Sequence, residues 1–171
     1  MNQAQITQEL LKSLFDYKDD GTFVRKVATS NRVKVGDAVG WPMVKNRYVG
    51  LCVNGTKQFM HRMVFLYHYG YLPKLIDHID GDGTNNRIEN LREASFQQNM
   101  LNSRGYANTR SNIKNVYWSK SSKKWMVRCR VNKKIKHLGV FADLDLAELV
   151  AVEARNKYHG EFANHQSKEK E

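Results

Sequence analysis

The chain has little cysteine and no long apolar run. Its 171 residues include two cysteines, Cys52 and Cys129, which form no CxxC pair and show no zinc-ligand spacing. No apolar stretch approaches the roughly 20 residues that a membrane helix needs. The first residues contain no apolar segment of the kind found in secretory signals. These absences argue against a disulfide framework, and we expect a cytoplasmic protein with no membrane partner.

Acidic residues are missing from residues 94–142, where eleven lysines and arginines occur. The whole chain has a net charge of +11, so this stretch alone equals the entire excess. A basic face is often simply solvated. An acid-free run that also contains Tyr117, Trp118 and Trp125 favours a polyanionic partner. We therefore predict that the protein binds nucleic acid.

The apolar pattern of the N-terminal part predicts a short helix, several strands and a second helix. Leu10, Leu11 and Leu14 recur at helical spacing. Residues 48–60 predict a hairpin that turns at Asn54-Gly55, a dipeptide typical of type I′ turns. Residues 60–69 predict a buried helix that ends near Gly70.

The C-terminal part, residues 115–160, predicts a small sheet that one helix covers. Strands are expected at 116–118, 125–131 and 134–140, followed by a helix that Asp143 caps and Gly160 ends. Arginines alternate with apolar residues in the second strand, so Arg128 and Arg130 should point off the uncovered face. The apolar face of the helix is expected to consist of Leu146, Leu149, Val150, Ala154 and Tyr158.

Residues 77–99 contain side chains suited to phosphodiester hydrolysis. Asp77 and His78 end a short apolar strand, a loop rich in Gly and Asn follows, and Ser95 begins a helix that carries Asn99. Carboxylate and amide oxygens are ligands that suit Mg²⁺, and an imidazole can take a proton from water. An Asp-His pair alone is more often an ordinary exposed pair. A calcium loop is excluded because its twelfth position would be Ile88, where that loop requires Glu.

Three segments carry a family resemblance. D-H-I-D-G at 77–81, N-N-R-I-E-N-L-R at 85–92 and the following Asn99 resemble the HNH motif of phage and intron-type homing endonucleases. His61 and Arg62 resemble the HR element that precedes this motif. The resemblance covers about residues 15–102.

The HNH resemblance implies a role for each matching residue. His78 would be the general base, and Asn90 would steady the loop. Asp77 and Asn99 would hold one divalent metal ion. With Asn as the last letter of the motif, the resemblance implies Mg²⁺, with Mn²⁺ as a substitute, and no zinc.

The C-terminal part resembles the AP2 DNA-binding domain, on residues 116–118, 123–131, 133–141 and 157–164. AP2 domains lay a three-stranded sheet in the major groove, and Tyr117, Arg128, Arg130 and His137 correspond to its outward residues. Trp125 is expected in the core instead. The full set of predicted DNA contacts is His61, Arg62, Arg87, Arg92, Arg104, Arg110, Lys114, Tyr117, Arg128, Arg130 and His137.

These observations predict an α+β protein. An HNH ββα-metal nuclease core with a β-rich N-terminal part is expected over residues 1–102. A basic linker (103–114), an AP2-like domain (115–164) and a tail (165–171) follow. The expected function is that of a homing-type, phage-encoded endonuclease. It would act as a monomer without a small-molecule cofactor and would nick or cut double-stranded DNA at a preferred site. Two alternatives stay open: a DNA-binding regulator with an inactive nuclease fold, and a non-specific nuclease.

Overall fold

The computed structural model describes residues 6–28, 30, 32–45, 47–103 and 110–165. The chain divides into two compact units, Met1–Ser95 and Phe96–Glu171. The described strands form small antiparallel sheets that combine with four α-helices, which confirms the predicted α+β class. None of the described helices is long and apolar enough to cross a membrane.

The first unit contains two helices, two three-stranded sheets and a final hairpin. Helix α1 (Gln8–Leu14) precedes a sheet of strands β1 (Phe15–Tyr17), β2 (Phe23–Arg25) and β3 (Ala38–Val39). The second sheet comprises β4 (Trp41–Met43), β5 (Tyr48–Val53) and β6 (Thr56–Phe59), and helix α2 (Met60–Tyr69) follows directly. Strands β7 (Ile76–His78) and β8 (Leu91–Glu93) form the hairpin.

Two local predictions for this unit are confirmed. Between β5 and β6, Asn54 and Gly55 have φ values of 47° and 76°, the left-handed backbone that a type I′ turn requires. Helix α2 ends at Gly70, whose φ is 75° and whose N–H donates to the carbonyl of Leu66. Glycine suits this position because a left-handed residue without Cβ can close the last helical turn at no steric cost.

A single apolar core holds the first unit together and includes the β7–β8 hairpin. Its buried members are Leu11, Phe15, Phe23, Leu51, Val53, Met60, Met63, Val64, Phe65, Leu66, Ile76 and Leu91. Ile76 and Leu91 belong to the hairpin itself. Strand β7, which carries Asp77 and His78, and its partner β8 are therefore each anchored by one core residue.

The second unit is a three-stranded sheet with one long helix. After α3 (Phe96–Leu101) come β9 (Val116–Ser119), β10 (Lys124–Val131) and β11 (Lys134–Phe141), with β10 in the centre of the sheet. Helix α4 (Leu144–His159) packs on β10 and β11. The side chain of Asp143 caps α4 by accepting the N–H of Leu146 at 2.8 Å, and Gly160 ends the helix, as the sequence predicts.

The buried face of α4 matches the predicted one only in part, since Ala154 is buried and Val150 packs against the core as expected. Ala147, Ala151 and Ala154 are buried, whereas Leu146 and Leu149 are 48% and 62% exposed. The strands supply the large apolar side chains of this core, among them Trp125 and Phe141. Because these side chains fill the space beneath the helix, small residues face the sheet and the bulkier leucines lie outside. The expected core position of Trp125 is confirmed.

Candidate functional site

The β7–β8 hairpin carries most of the candidate catalytic residues. Asp77 pairs with Arg92 and His78 pairs with Leu91 across the two strands. Residues 79–87 form the loop between them, and a 3-10 helix, Ile88–Asn90, leads into β8. The positions of these candidate residues therefore depend on the hydrogen bonds that fix the loop.

Asn90 ties the loop to the hairpin. The Asn90 side chain is buried; its Oδ1 accepts the N–H of Asp80 at 3.1 Å, and its Nδ2 donates to Oδ1 of Asp80 at 3.0 Å. The same Nδ2 donates to the carbonyl of Asn85 at 2.8 Å, and the N–H of Ile79 donates to the carbonyl of Asn90 at 2.9 Å. One amide group thus holds both ends of the loop.

The acidic side chains of the loop take part in its folding. Oδ1 of Asp80 also accepts the N–H of Asp82 at 2.8 Å, and Oδ2 of Asp80 accepts Nδ2 of Asn85 at 2.7 Å. Oδ1 of Asp82 accepts the N–H and the hydroxyl of Thr84. These local bonds are typical of turns built by Asp and Asn.

The loop rests closely on the start of β5. A Cβ at Gly83 would lie 2.2 Å from the carbonyl oxygen of Arg47 and 2.7 Å from the ring of Tyr48. Contacts this short leave no room for a side chain, so glycine is required at this position. Tyr48 in turn contacts the ring of His78.

His78 is buried, with 7% of its surface exposed, and its ring is oriented by Asn86. Nε2 of His78 lies 3.2 Å from Oδ1 of Asn86, and Nδ2 of Asn86 donates to the carbonyl of Thr84 at 3.0 Å. With its amide nitrogen engaged by Thr84, Asn86 presents oxygen to the ring. Nε2 of His78 therefore carries the proton and Nδ1 carries the lone pair. The sequence places Asn86 in the loop but does not reveal this role.

Four aromatic rings pack against one another here. They belong to Tyr48, Phe59, His61 and His78, and we call them the aromatic box. The His61 and His78 centroids lie 5.1 Å apart in an edge-to-face arrangement, and Phe59 stacks on His61 at 5.5 Å. Tyr48 lies 5.7 Å from His61 and 6.2 Å from His78. Burial, and then the nearby His78 and Arg62, lower the pKa of His61 to about 3. His61 is therefore uncharged at neutral pH.

Asp77 is buried, with 4% of its surface exposed, and forms an ion pair with Arg92. Nε of Arg92 donates to Oδ2 of Asp77 at 2.9 Å, and Nη2 lies 2.8 Å from the same oxygen. The other candidate metal ligand, Asn99, lies on α3 in the second unit and is half-buried. Among the described residues, no group of three or more His, Cys, Asp or Glu side chains is arranged to hold a metal ion.

The open face of the second sheet brings four predicted DNA contacts together. Arg128 lies opposite His137 across β10 and β11, and Tyr117 lies opposite Met126 across β9 and β10. Because alternate residues of a strand share a face, Arg130 lies on the same side as Arg128 and Met126. The guanidinium of Arg128 lies 4.4 Å from the centroid of the Tyr117 ring, which holds it flat against that face.

The remaining predicted DNA contacts have varied surroundings. In the first unit, Arg62 donates to the carbonyl of Pro73 at 3.4 Å, and Arg87 is exposed and donates to the carbonyl of Asp19 at 3.3 Å. In the second unit, Arg110 is exposed and its guanidinium lies 4.2 Å from the centroid of a Trp118 ring. Arg104 lies outside the described residues.

Lys114 differs from the other basic candidates because its ammonium group is turned inward. Nζ donates to the carbonyls of Leu101 and Ser103, and burial, followed by the nearby Arg155, lowers its pKa to about 8. The neighbouring Ile113 packs against the core of the second unit. A phosphate contact by Lys114 stays a prediction, as does the linker role of residues 103–114.

Comparison with known proteins assigns the hairpin to a class. An HNH endonuclease family model matches residues 58–101, which include the aromatic box residues Phe59, His61 and His78 and all four HNH candidates. The chain thus carries an HNH endonuclease domain. HNH nucleases act on DNA and use divalent metal ions.

A relative of known sequence matches a longer part of the chain than the family model does. The chain is 34% identical over 107 residues to Protein 3.8 of Escherichia phage T7, an alignment that covers 60% of this chain and 86% of that protein. The chain belongs to the same family as this phage protein. No solved structure matches the chain at a significant level.

The Asn90 bonds predict that the loop is sensitive to one amide. In Asn90→Ala, the partly buried N–H of Asp80 and the carbonyl of Asn85 lose their partner. We expect about 1–3 kcal/mol less stability because polar groups that lose their partners away from solvent are costly. Thr84→Ala is the matched control, since it removes an exposed hydrogen bond from the same loop and should change stability by less than about 0.5 kcal/mol. Denaturant unfolding of both variants measures the difference. Equal effects would show that Asn90 does not hold the loop.

Proposed function

We propose that the protein is a metal-dependent DNA endonuclease of the homing type that nicks or cuts double-stranded DNA at a preferred site, using His78 as general base. The observation that carries this proposal is the fixed position of His78 in the HNH-matched hairpin. Its ring is buried, its Nε2 is bonded to Asn86, and its Nδ1 carries the lone pair that must accept a proton. A catalytic base needs its proton-accepting atom defined in this way.

The reaction begins with a water molecule that loses a proton to Nδ1 of His78 as its oxygen attacks phosphorus. The imidazolium that forms keeps its Nε2–H bond to Asn86, and the charge on the ring strengthens that bond. As the new bond forms, the bond between phosphorus and the leaving oxygen of the DNA strand breaks, and that oxygen takes a proton from a second water molecule. In this proposal the other three residues of the aromatic box, Tyr48, Phe59 and His61, orient the base, and they take no proton themselves.

Asp77 and Asn99 are the proposed ligands of one Mg²⁺ ion, with Mn²⁺ as a substitute and zinc disfavoured. The donor set fits this group, because a carboxylate and an amide offer hard oxygen ligands, and Mg²⁺ completes its shell with water and phosphate. When bound, the ion supplies charge stabilisation at the phosphorus and at the leaving oxygen. Arg92, paired with Asp77, limits the rotation of this carboxylate.

The open sheet face is proposed to bind the DNA duplex, in the manner of an AP2 domain. Arg128, with its guanidinium against Tyr117, presents a flat set of donors from the face that also carries Arg130 and His137. The proposed division of the chain keeps the nuclease at 1–102, the basic linker at 103–114, this domain at 115–164 and the tail at 165–171. A monomer of phage origin is the simplest form of such an enzyme.

Replacing the base should separate cleavage from binding. We expect His78→Ala to slow single-turnover cleavage of duplex DNA by about 10²–10⁴-fold while the duplex Kd stays unchanged. His68→Ala is the control, because His68 is exposed on α2 and contacts Tyr17 and Tyr67. Cleavage by His78→Ala at the parent rate would remove His78 from the chemistry. If the parent protein binds the duplex but never cuts it, the alternative of a regulator with an inactive nuclease fold would be favoured.

Sequence discrimination should depend on the arginines of the open face. A bidentate arginine contact to guanine is worth about 1–3 kcal/mol of discrimination, so Arg128→Ala should lose more affinity for a preferred duplex than for a scrambled one. Lys123→Ala, in the exposed turn before β10, should weaken both duplexes alike because phosphate contacts carry no sequence information. Binding across a salt series measures both. If Arg128→Ala loses the same affinity for both duplexes, this face only tethers DNA. A cleavage map of the parent without preferred positions would favour a non-specific nuclease.

A further inference from the structure

His61 occupies a position that the resemblance to an HR element does not explain. It is the second residue of α2, a helix that Met60, Met63 and Val64 anchor in the core of the first unit. Phe59 stacks on its ring at 5.5 Å and an interplanar angle of 26°. The edge-to-face contact with His78 has an interplanar angle of 74°. The ring of His61 is therefore held between a stacked neighbour and the proposed base.

The hydrogen bonding of His61 argues against a charged contact to DNA phosphate. Nδ1 of His61 is buried and makes no hydrogen bond within the part of the chain that the structure describes. A protonated imidazole donates from both nitrogens, so protonation would leave a buried N–H without an acceptor at a cost of about 1–3 kcal/mol. The low pKa of His61 agrees with this argument. His61 contacts its surroundings as a neutral aromatic ring.

The His61 ring is placed to restrain the plane of the His78 ring. The bond from Nε2 to Asn86 positions one atom of the His78 ring. The plane of a histidine ring is set by its χ2 torsion, for which the preference is broad. A ring packed at 5.1 Å against the side of His78 opposes rotation about χ2 and so helps to fix the direction of Nδ1. Tyr48 closes the same space from β5 at 6.2 Å.

We propose that His61 is a positioning residue whose aromatic face fixes the plane of the His78 ring, and that it is not a DNA contact. This inference rests on the proposed function, because it assigns His61 to the orientation of the proposed base. Phenylalanine should replace His61 with little loss, since a flat ring is what the position requires. A phosphate contact would need a nitrogen at this position, which phenylalanine lacks.

The experiment compares three variants of the full chain, His61→Phe, His61→Leu and His61→Ala, with His68→Ala as the control on the same helix. His61→Leu keeps the volume filled, so that a loss of aromatic packing can be told from a cavity. Single-turnover cleavage of a duplex and duplex Kd are measured for each. In the metal-free protein, the chemical shifts of the His78 ring protons respond to the ring current of the side chain at position 61.

We expect His61→Phe to cut within about threefold of the parent. His61→Leu and His61→Ala should cut at least about tenfold more slowly with unchanged Kd, because small misplacements of a base are costly in rate. The ring-current shift that residue 61 causes at His78 should persist in His61→Phe and be lost in His61→Leu. A tenfold or greater loss of duplex affinity in His61→Phe would overturn the proposal in favour of a DNA contact. Unchanged cleavage in His61→Leu would also overturn it.

The nuclease function and the positioning role of His61 would be disproved by different results. If the parent protein does not cut DNA at any metal concentration, the proposed nuclease function is wrong, yet the chemical shifts still report whether His61 holds the His78 ring. If the parent cuts and His78 shifts are the same in the parent and in His61→Leu, the positioning role is wrong and the nuclease function stands.

Discussion

The amide of Asn90 is the constraint on which the geometry of the hairpin depends. Its side chain bonds to Asp80 and to Asn85 at opposite ends of the loop. Asn86, the next residue, therefore has a fixed backbone from which to reach His78. Ile76 and Leu91 hold the two strands in the core. The position of the proposed base thus follows from one closed loop on an anchored hairpin.

The charges near the hairpin and on the open sheet face serve different purposes. Asp77 is balanced by Arg92, and Asp80 and Asp82 are used in the turns of the loop. The acidic side chains of the hairpin are thus used locally. The acid-free stretch at 94–142 lies in the second unit apart from Ala94 and Ser95, and its positive charge is of the kind that attracts polyanions.

Sequence periodicity predicted the local elements well, because their causes are local. The Asn54-Gly55 turn, the Gly70 helix end and the Asp143 cap each depend on a few adjacent residues. The period of two placed Arg128 on the open face, and the AP2 resemblance placed Tyr117 and His137 there. The buried face of α4 was predicted correctly at Val150 and Ala154 but wrongly at Leu146 and Leu149. The large side chains of the strands favour small residues, such as Ala147 and Ala151, beneath the helix. The bond from Asn86 to His78, the partner of Arg92 and the burial of His61 depend on contacts distant in sequence, which no spacing rule reveals.

The central claim is that a metal ion and the HNH hairpin together hydrolyse DNA, and a metal titration of cleavage tests it most directly. Single-turnover cleavage of a duplex is measured in chelator and across Mg²⁺ concentrations for the parent, Asp77→Ala and Asn99→Ala. The account predicts no cleavage in chelator, saturation of the parent with Mg²⁺, and a need for far more Mg²⁺ or complete loss in both variants, because Mg²⁺ has few protein ligands to lose. Cleavage that persists in chelator, or an unchanged Mg²⁺ midpoint in both variants, would contradict it.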